Sequence, residues 1–374
     1  MEDSGHCSFR KIKTGMLKFK RISKTLLEQI EKGDFSLSGL PSERILAESL
    51  SANRLTVQKA LALLADKGVI HKLTNGRYAI SPKPGRSAQV LRIAILVPPC
   101  FTSGNILMWY EAIRIYSEKN NFFFRPFLFV HWNDASISNI LGTFDGIFII
   151  PAEEEIPRSM LNKLQSTNGL VMLNTDMSQA DILSLCLFPK IFVRQALDRL
   201  VQLGHKSIAC LHIQSDISDV LMERISQWKR WGELSENDAP LIKADINALA
   251  EGDMFLDLEI KKGCLKDSTA VFCTTIHAAI ALIRACKNNG IDPEKELSIC
   301  TIDDEGIGMH STPSVSCFRR PDIQKLLHPI FNWIRSGGDV QDWKDPLLVG
   351  PSSLEVYEGE TSHSPVRTEK IRSR

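Results

Sequence analysis

Residues 40–61 read LPSERILAESLSANRLTVQKAL, and this stretch predicts two short helices joined by a tight turn. Ser42 can cap the first helix, because its hydroxyl can accept a backbone N–H of the first turn. Asn53 can cap the second helix, whose apolar residues Val57, Ala60 and Leu61 recur at helical spacing. Two helices joined by about three residues are typical of a helix-turn-helix.

The flanking residues extend this pattern on both sides. Apolar residues between Phe19 and Ile30 recur on one face of a predicted preceding helix. Behind the second helix, 69–73 predicts a strand, Asn75-Gly76 is a strong turn signal, and 77–80 predicts the return strand. A basic hairpin that follows a helix-turn-helix predicts a wing.

Taken in order, residues 16–80 resemble the GntR-type winged helix, chiefly through Leu40 to Arg44, Asn53-Arg54 and Asn75 to Tyr78. The resemblance implies a double-stranded DNA partner, with Arg44 on phosphate, Arg54 and Gln58 near base edges, and the wing along the minor groove. The residues that it assigns to DNA contact are Ser42, Arg44, Asn53, Arg54, Thr56, Gln58, Lys72, Asn75, Gly76 and Arg77. The chain departs from the family at Gln58, which is usually Arg, and at Thr74, which is usually Gly.

The start of the second helix suits base recognition on chemical grounds too. A recognition helix enters the major groove by its first turns, where Arg can bond guanine and Gln can bond adenine. The alternative is that these side chains only form ion pairs with Glu43, Glu48 or Asp66. Residues 1–90 contain 16 Lys and Arg against 8 Asp and Glu, whereas 91–374 contain 29 against 36. This asymmetry favours a polyanion partner for the first domain alone.

Bulk composition is that of an ordinary globular protein, with 43% hydrophobic and 24% charged residues. No apolar run reaches the roughly 18 residues that span a bilayer, and the first residues lack the apolar segment of a signal peptide. We therefore expect a cytoplasmic protein with no membrane partner. The nine cysteines include no C-x-x-C, which favours buried free thiols over disulfides or a zinc site.

Apolar strands alternate with helical stretches from residue 91 to about 360, which predicts an α/β fold with parallel sheets. The order resembles the sensor domain of the LacI/GalR regulators, a two-lobed periplasmic-binding-protein-like fold. The segments that carry the resemblance are Asp145 to Ile149, Leu203 to Ala209, Ala270 to Cys273, Ile302 to Asp304, Pro313 to Ser316 and Leu354 to Glu358. A GntR-type reader fused to this sensor resembles the arabinose-repressor type of architecture.

The resemblance also implies an effector site, with Arg224 and Asp303 as binding residues. Arg224 could bond sugar hydroxyls or a carboxylate, and Asp303 could bond sugar hydroxyls. Phe101, after the first strand of the domain, could stack at the same crevice, as could Trp132 and Trp228, although packing is the better interpretation of Trp228. The alternative for Arg224 is a surface ion pair, and for Asp303 a turn or helix cap.

Three departures bear on this site. Thr275-Ile276 stands where the family usually has Asn-Asp, Gln227 where it has Gly, and Pro189-Lys190 where it commonly has Asp-Asn. The pocket could therefore bind something other than a simple sugar, or nothing.

These observations predict a flexible N-terminus at 1–15, a winged helix at 16–80, a linker at 81–90, a sensor domain at 91–360 and a disordered tail at 361–374. The predicted function is a homodimeric transcription regulator, a repressor, whose operator affinity responds to a small polar effector such as a sugar. The alternative is that the sensor has lost ligand binding and serves as a dimerisation or protein-partner module. Catalytic, cofactor and metal motifs are absent from the sequence, so we expect neither an enzyme nor a cofactor.

Overall fold

The structure is a computed structural model of the 374-residue chain. It describes residues 6–31, 34–35, 40–73, 76–81, 90–99, 104–152, 154–214, 219–246, 251–303 and 305–365. The chain divides into two compact units. The first comprises Met1–Leu173, Met177–Ser184 and Leu327–Leu347, and the second comprises Asn174–Asp176, Leu185–Leu326 and Leu348–Arg374.

The N-terminal part of the first unit is a winged helix. Its elements are α1 (His6–Glu31), α2 (Glu43–Ser49), α3 (Arg54–Asp66), β1 (Ile70–Lys72) and β2 (Tyr78–Ile80). The two strands pair antiparallel, with Ile70 opposite Ile80. The predicted apolar stripes meet in one core, where Leu26 of α1 and Leu61 of α3 are buried together. Helix α1 begins at His6, inside the segment predicted to be a flexible N-terminus.

An α/β layer forms the rest of the first unit. Its sheet has the order β13-β7-β6-β5-β3-β4, and β3 pairs parallel with both β4 and β5. The strands of this sheet are β3 (Arg92–Val97), β4 (Phe123–Leu128), β5 (Gly146–Ile149), β6 (Leu170–Leu173), β7 (Ser184–Leu185) and β13 (Leu348–Val349), of which β13 and the last residue of β7 are counted in the second unit. The helices are α4 (Gly104–Lys119), α5 (Ala135–Thr143), α6 (Arg158–Gln165) and α11 (Ile323–Ser336), which enters the first unit at Leu327. Every residue of β3 is buried, as expected for a parallel strand that is covered on both faces.

The second unit has a sheet with the order β14-β12-β11-β10-β8-β9. Its strands are β8 (Ile208–His212), β9 (Leu241–Lys243), β10 (Ala270–Cys273), β11 (Ser298–Asp303), β12 (Ser316–Phe318) and β14 (Val356–Tyr357). Its helices are α7 (Ile191–Gln202), α8 (Asp219–Ser235), α9 (Gly252–Lys261) and α10 (Ile276–Asn288). Only β14 pairs antiparallel, against β12, among the pairs described. The predicted parallel α/β architecture is confirmed.

The predicted disordered tail starts too early at residue 361. Thr361 is fully buried, and its hydroxyl donates a hydrogen bond of 2.7 Å to the Ile299 carbonyl. The Ile299 N–H donates to the Thr361 carbonyl at 2.9 Å, and the Thr361 N–H donates to the Ser314 carbonyl at 3.1 Å. These bonds hold the segment against the second sheet, because they join Thr361 to Ile299 of β11 and to Ser314, which precedes β12. Residues 366–374 lie outside the described residues.

Six of the seven free cysteines that the structure describes are buried. Burial raises the pKa of the Cys286 and Cys300 thiols to about 12, so the reactive thiolate is disfavoured there. No helix in the described part of the chain is long and apolar enough to span a membrane.

Candidate DNA interface and candidate effector site

Two predicted residues act as helix caps. The Ser42 hydroxyl accepts the Ile45 N–H at 3.5 Å and caps α2, while the Asn53 side-chain oxygen accepts the Leu55 N–H at 3.0 Å and caps α3. The caps set where each helix begins, so Arg54 occupies the first turn of α3 and Gln58 lies one turn further on. Contact of Ser42 and Asn53 with DNA stays a prediction.

Glu43 brings the two predicted base-reading side chains together. Its Oε2 accepts a hydrogen bond from Arg54 Nε at 3.1 Å and another from Gln58 Nε2 at 2.7 Å. The Arg54 side chain is 68% exposed, whereas that of Glu43 is 20% exposed. Arg54 and Gln58 therefore lie on one face of α3, because residues four apart on a helix are neighbours.

Two of the alternative ion pairs do form, and the arginine side chain of each is exposed. Arg54 pairs with Glu43, and Arg44 lies 3.9 Å from Glu48 with both side chains largely in solvent. Exposed pairs of this kind stabilise a protein by only about 0–1 kcal/mol. DNA phosphates and bases can therefore compete for both arginines.

The remaining predicted positions border the same end of α3 or lie on the wing. Thr56 is half-buried and Leu55 is 66% exposed. In the hairpin the Leu73 N–H donates to the Arg77 carbonyl at 2.7 Å, and Gly76 has φ +80°, a conformation that favours glycine. Lys72 and Arg77 are exposed, and the Lys72 ammonium lies 5.9 Å from the Tyr78 ring centre. Asn75 lies outside the described residues.

In the second unit, polar side chains gather where the parallel strands end. We call this set the strand-end cluster: His212, Arg224, Thr274, Asp303, Glu305 and Arg320. Carboxyl ends of neighbouring parallel strands meet at one sheet edge, which is where ligands bind in open α/β sheets. His212 ends β8, Thr274 follows β10, and Asp303 ends β11.

Asp303 is only 4% exposed and is bound by Arg320. Arg320 Nε donates to Oδ1 at 2.7 Å and Nη2 donates to Oδ2 at 2.8 Å, a bidentate pair. Oδ1 also accepts the Glu305 N–H at 3.0 Å. Both carboxylate oxygens of Asp303 are thus engaged by the protein, and contact of Asp303 with sugar hydroxyls stays a prediction.

Arg224 projects from α8 and donates through Nη1 to the Thr274 carbonyl. The Thr274 hydroxyl lies 2.9 Å from His212 Nδ1, and both of these residues are buried. Burial lowers the pKa of the Arg224 guanidinium, and the nearby charges of Asp303 and Glu305 oppose that shift. The predicted surface ion pair of Arg224 is not found among the described residues.

The aromatic candidates for stacking turn out differently. Trp132 is fully buried, with its indole N–H donating to the Glu154 carbonyl at 3.3 Å, and the buried Trp228 donates to the Ile208 carbonyl at 3.1 Å. Both are packing residues, which agrees with the preferred interpretation of Trp228, whereas the suggestion that Trp132 stacks on a ligand is wrong. Phe101 lies outside the described residues.

Sequence reasoning missed Arg320, the partner of Asp303. It lies 17 residues after Asp303 and follows β12. The one available signal was a pair of arginines, Arg319-Arg320, directly after an apolar strand, and nothing local indicated which of them faces the cluster.

Two family models match the chain. Residues 18–79 match the model described as "Bacterial regulatory proteins, gntR family", and residues 197–333 match the "Periplasmic binding protein-like domain". The chain thus combines a GntR-type helix-turn-helix domain with a periplasmic-binding-protein-like domain, as the resemblance implied.

Among curated proteins, the chain is 28% identical over 190 residues to the "Probable HTH-type transcriptional repressor ExuR" of Bacillus subtilis (strain 168). The match covers 49% of this chain and 54% of that relative, so it spans about half the relative's length.

Solved structures of LacI-type proteins share the fold. The lac repressor dimer bound to operator and the anti-inducer ONPF has a TM-score of 0.60 at 16% identity, covering 74% of this chain and 95% of that one. A LacI family transcriptional regulator from Mycobacterium smegmatis has a TM-score of 0.56 at 18% identity, covering 73% and 100%.

Proposed function

We propose that this protein is a transcription regulator, a repressor, that binds an operator in double-stranded DNA as a homodimer and responds to a small polar effector. The observation that carries the proposal is the exposed start of α3, where Arg54 and Gln58 lie side by side in a GntR-type domain. The periplasmic-binding-protein-like domain behind it supports the effector response.

In this proposal the first turns of α3 enter the major groove. Arg54 exchanges the Glu43 carboxylate for a guanine edge, and Gln58 bonds an adenine. The half-buried Glu43 then keeps the two side chains aimed outward while they are free of DNA. The exposed Leu55 contacts a thymine methyl, Arg44 contacts phosphate, and Lys72 and Arg77 of the wing follow the minor groove.

The effector acts by favouring one of two arrangements of the regulator. A ligand shifts such an equilibrium only by the difference in its affinity for the two states. Arg224 is the binding residue with an available guanidinium. Closure of the sensor on the ligand would change the spacing of two DNA-reading helices in a dimer, and operator affinity would change with it.

Selection of binding sites from a random duplex pool by the purified full chain tests the proposal. We expect enrichment of a two-fold symmetric sequence with half-sites about 10 base pairs apart, or a multiple of that, because each protomer reads one half-site. Recovery of the unselected pool composition would reject it. Sedimentation of the complex, which should contain two chains per duplex, checks the dimer separately.

The alternative of a sensor that no longer binds ligand has one observation in its favour. Asp303, which the resemblance assigns to the effector, is taken up by Arg320. A regulator of this kind would bind its operator with an affinity that no small molecule changes. A metabolite that co-purifies with the full chain and alters operator binding would exclude it.

A further inference from the structure

We infer that the strand-end cluster takes a small ligand bearing an oxyanion, carboxylate or phosphate, which pairs with Arg224. The inference rests on the proposed effector-responsive function and gives the ligand its chemical class. A neutral sugar is the competing occupant, and four features of the cluster favour the anion.

The first feature is that Asp303 is already ion-paired with Arg320. A carboxylate selects a neutral sugar by accepting its hydroxyl hydrogens. Here both oxygens of Asp303 already accept from Arg320, at 2.7 and 2.8 Å, and Oδ1 also accepts the Glu305 N–H. A sugar hydroxyl would therefore have to share oxygens that are nearly buried and already hydrogen-bonded, which leaves Asp303 with little acceptor capacity for a sugar. The negative charge of Asp303 is therefore offset by Arg320 and opposes an incoming anion little.

The second feature is the state of Arg224. A guanidinium carries five N–H donors, and within the described residues that of Arg224 makes one hydrogen bond, to the uncharged Thr274 carbonyl, and no ion pair. A partly buried guanidinium without a carboxylate partner is unfavourable because desolvation is not repaid. An oxyanion supplies the missing charge and accepts two parallel hydrogen bonds.

The third feature is the position of Arg224 at the start of α10. The carbonyl that it binds belongs to Thr274, directly before Thr275, whose hydroxyl caps α10 by accepting the Ala278 N–H at 3.2 Å. The N-terminal end of a helix carries partial positive charge, so a cation is disfavoured there and an anion is favoured. The Arg224 guanidinium and the N-terminal end of α10 thus both produce a positive potential beside Thr274, and a bound anion is stabilised by both.

The fourth feature is the character of the remaining ionisable groups. The Glu305 carboxylate lies within electrostatic reach of Arg224, and burial together with the charge of Asp303 raises its pKa. His277, Arg320 and Arg224 oppose that shift, so all three lie within electrostatic reach of it. His212 is buried against Thr274, and Asp304 lies outside the described residues. An anion would therefore meet the guanidinium of Arg224 beside two carboxylates, one ion-paired with Arg320 and one whose pKa is raised.

Calorimetric titration of the full chain with matched probes tests this inference. Glucose and galactose are compared with their uronates and their 6-phosphates, which differ from the parent sugars only at carbon 6. We expect a uronate or a 6-phosphate to bind at least about tenfold more tightly than its parent sugar, because charge-assisted hydrogen bonds replace neutral ones. The uronate and phosphate arms distinguish the two sources of the anion.

Substitutions distinguish an anion that pairs with Arg224 from a neutral sugar that is recognised by Asp303. R224Q should weaken anion binding by at least about tenfold, and R230Q, which removes an exposed charge from the same helix, should not. D303N should leave anion binding unchanged or tighten it, because one opposing charge is lost. E305Q, at a more accessible position, should act in the same direction and serves if D303N melts early. A fall in affinity in both D303N and E305Q would overturn the inference.

Operator binding without ligand, measured on the same proteins, keeps the two proposals apart. If the full chain binds no duplex, the proposed function fails, and the calorimetry still decides the class of ligand. If the operator is bound but neutral sugars bind as tightly as the anions, or no anion binds, the inference fails while the DNA-binding function stands.

Discussion

Arg54→Ala tests how the recognition helix acts. The side chain is 68% exposed, and its described contact is the 3.1 Å ion pair with Glu43. An exposed pair contributes only about 0–1 kcal/mol to folding, so the variant should fold, with Glu43 still bound to Gln58 at 2.7 Å. A bidentate contact to guanine contributes about 1–3 kcal/mol of discrimination. We therefore expect selected-site affinity to fall by about 5- to 150-fold, from the conversion of about 1.4 kcal/mol per tenfold.

Fluorescence anisotropy with the selected duplex and a scrambled duplex, at one fixed salt concentration, measures this loss. The matched control is Lys67→Ala, which removes an exposed positive charge at the other end of α3, about 18–20 Å away along the helix. The control should lose little affinity for either duplex. If Arg54→Ala lost the same affinity for both duplexes, Arg54 would contact phosphate, and base recognition by Arg54 would be refuted. No loss of affinity for either duplex would refute it as well.

Three further predictions concern the Glu43 carboxylate, the core of the winged helix and the dependence of stability on pH. Glu43→Gln should raise affinity for scrambled DNA more than for the selected site, because Arg54 loses its opposing charge; an unchanged ratio of the two affinities would count against this role of Glu43. Leu26→Ala should lower the free energy of unfolding of the winged helix by about 2–5 kcal/mol, because Leu26 is fully buried; urea denaturation of the full chain measures it, and a loss below that range would mean that α1 contributes little to the core. Burial lowers the pKa of His205 in the folded chain, so this histidine takes up a proton more readily in the unfolded chain, and the free energy of unfolding should fall as the pH drops below about 6.5, the ordinary histidine pKa. The melting temperature of His205→Gln should therefore depend less on pH between 7 and 5 than that of the unsubstituted chain. An unchanged dependence would show that other groups cause the loss of stability.

Local signals carried most of what could be predicted from the sequence. The Ser42 and Asn53 caps, the apolar stripe of α3 and the turn at Gly76 depend on residues within a few positions of each other, and the structure has all of them. The central strands of both sheets were also predictable, because buried parallel strands are continuous apolar runs.

Contacts between distant segments were not predictable in the same way. The Asp303–Arg320 pair joins the end of β11 to a segment beyond β12, and either Arg319 or Arg320 fitted the sequence equally well. Thr361 reads as part of a polar tail, yet it is buried because the second sheet supplies partners for its hydroxyl and backbone. Trp132 was misjudged because an aromatic residue after a strand suits a crevice and a core alike, and only packing separates the two.

The central claim is that the exposed start of α3 lies in the major groove of duplex DNA. The most direct measurement places a photo-crosslinking amino acid at Leu55, which is exposed beside Arg54, and maps the nucleotides attached to it in the selected duplex. We predict attachment to bases of one half-site through the major groove, with none from the same amino acid placed at Lys67. Crosslinks that are absent from position 55, or that arise equally from both positions, would contradict the account.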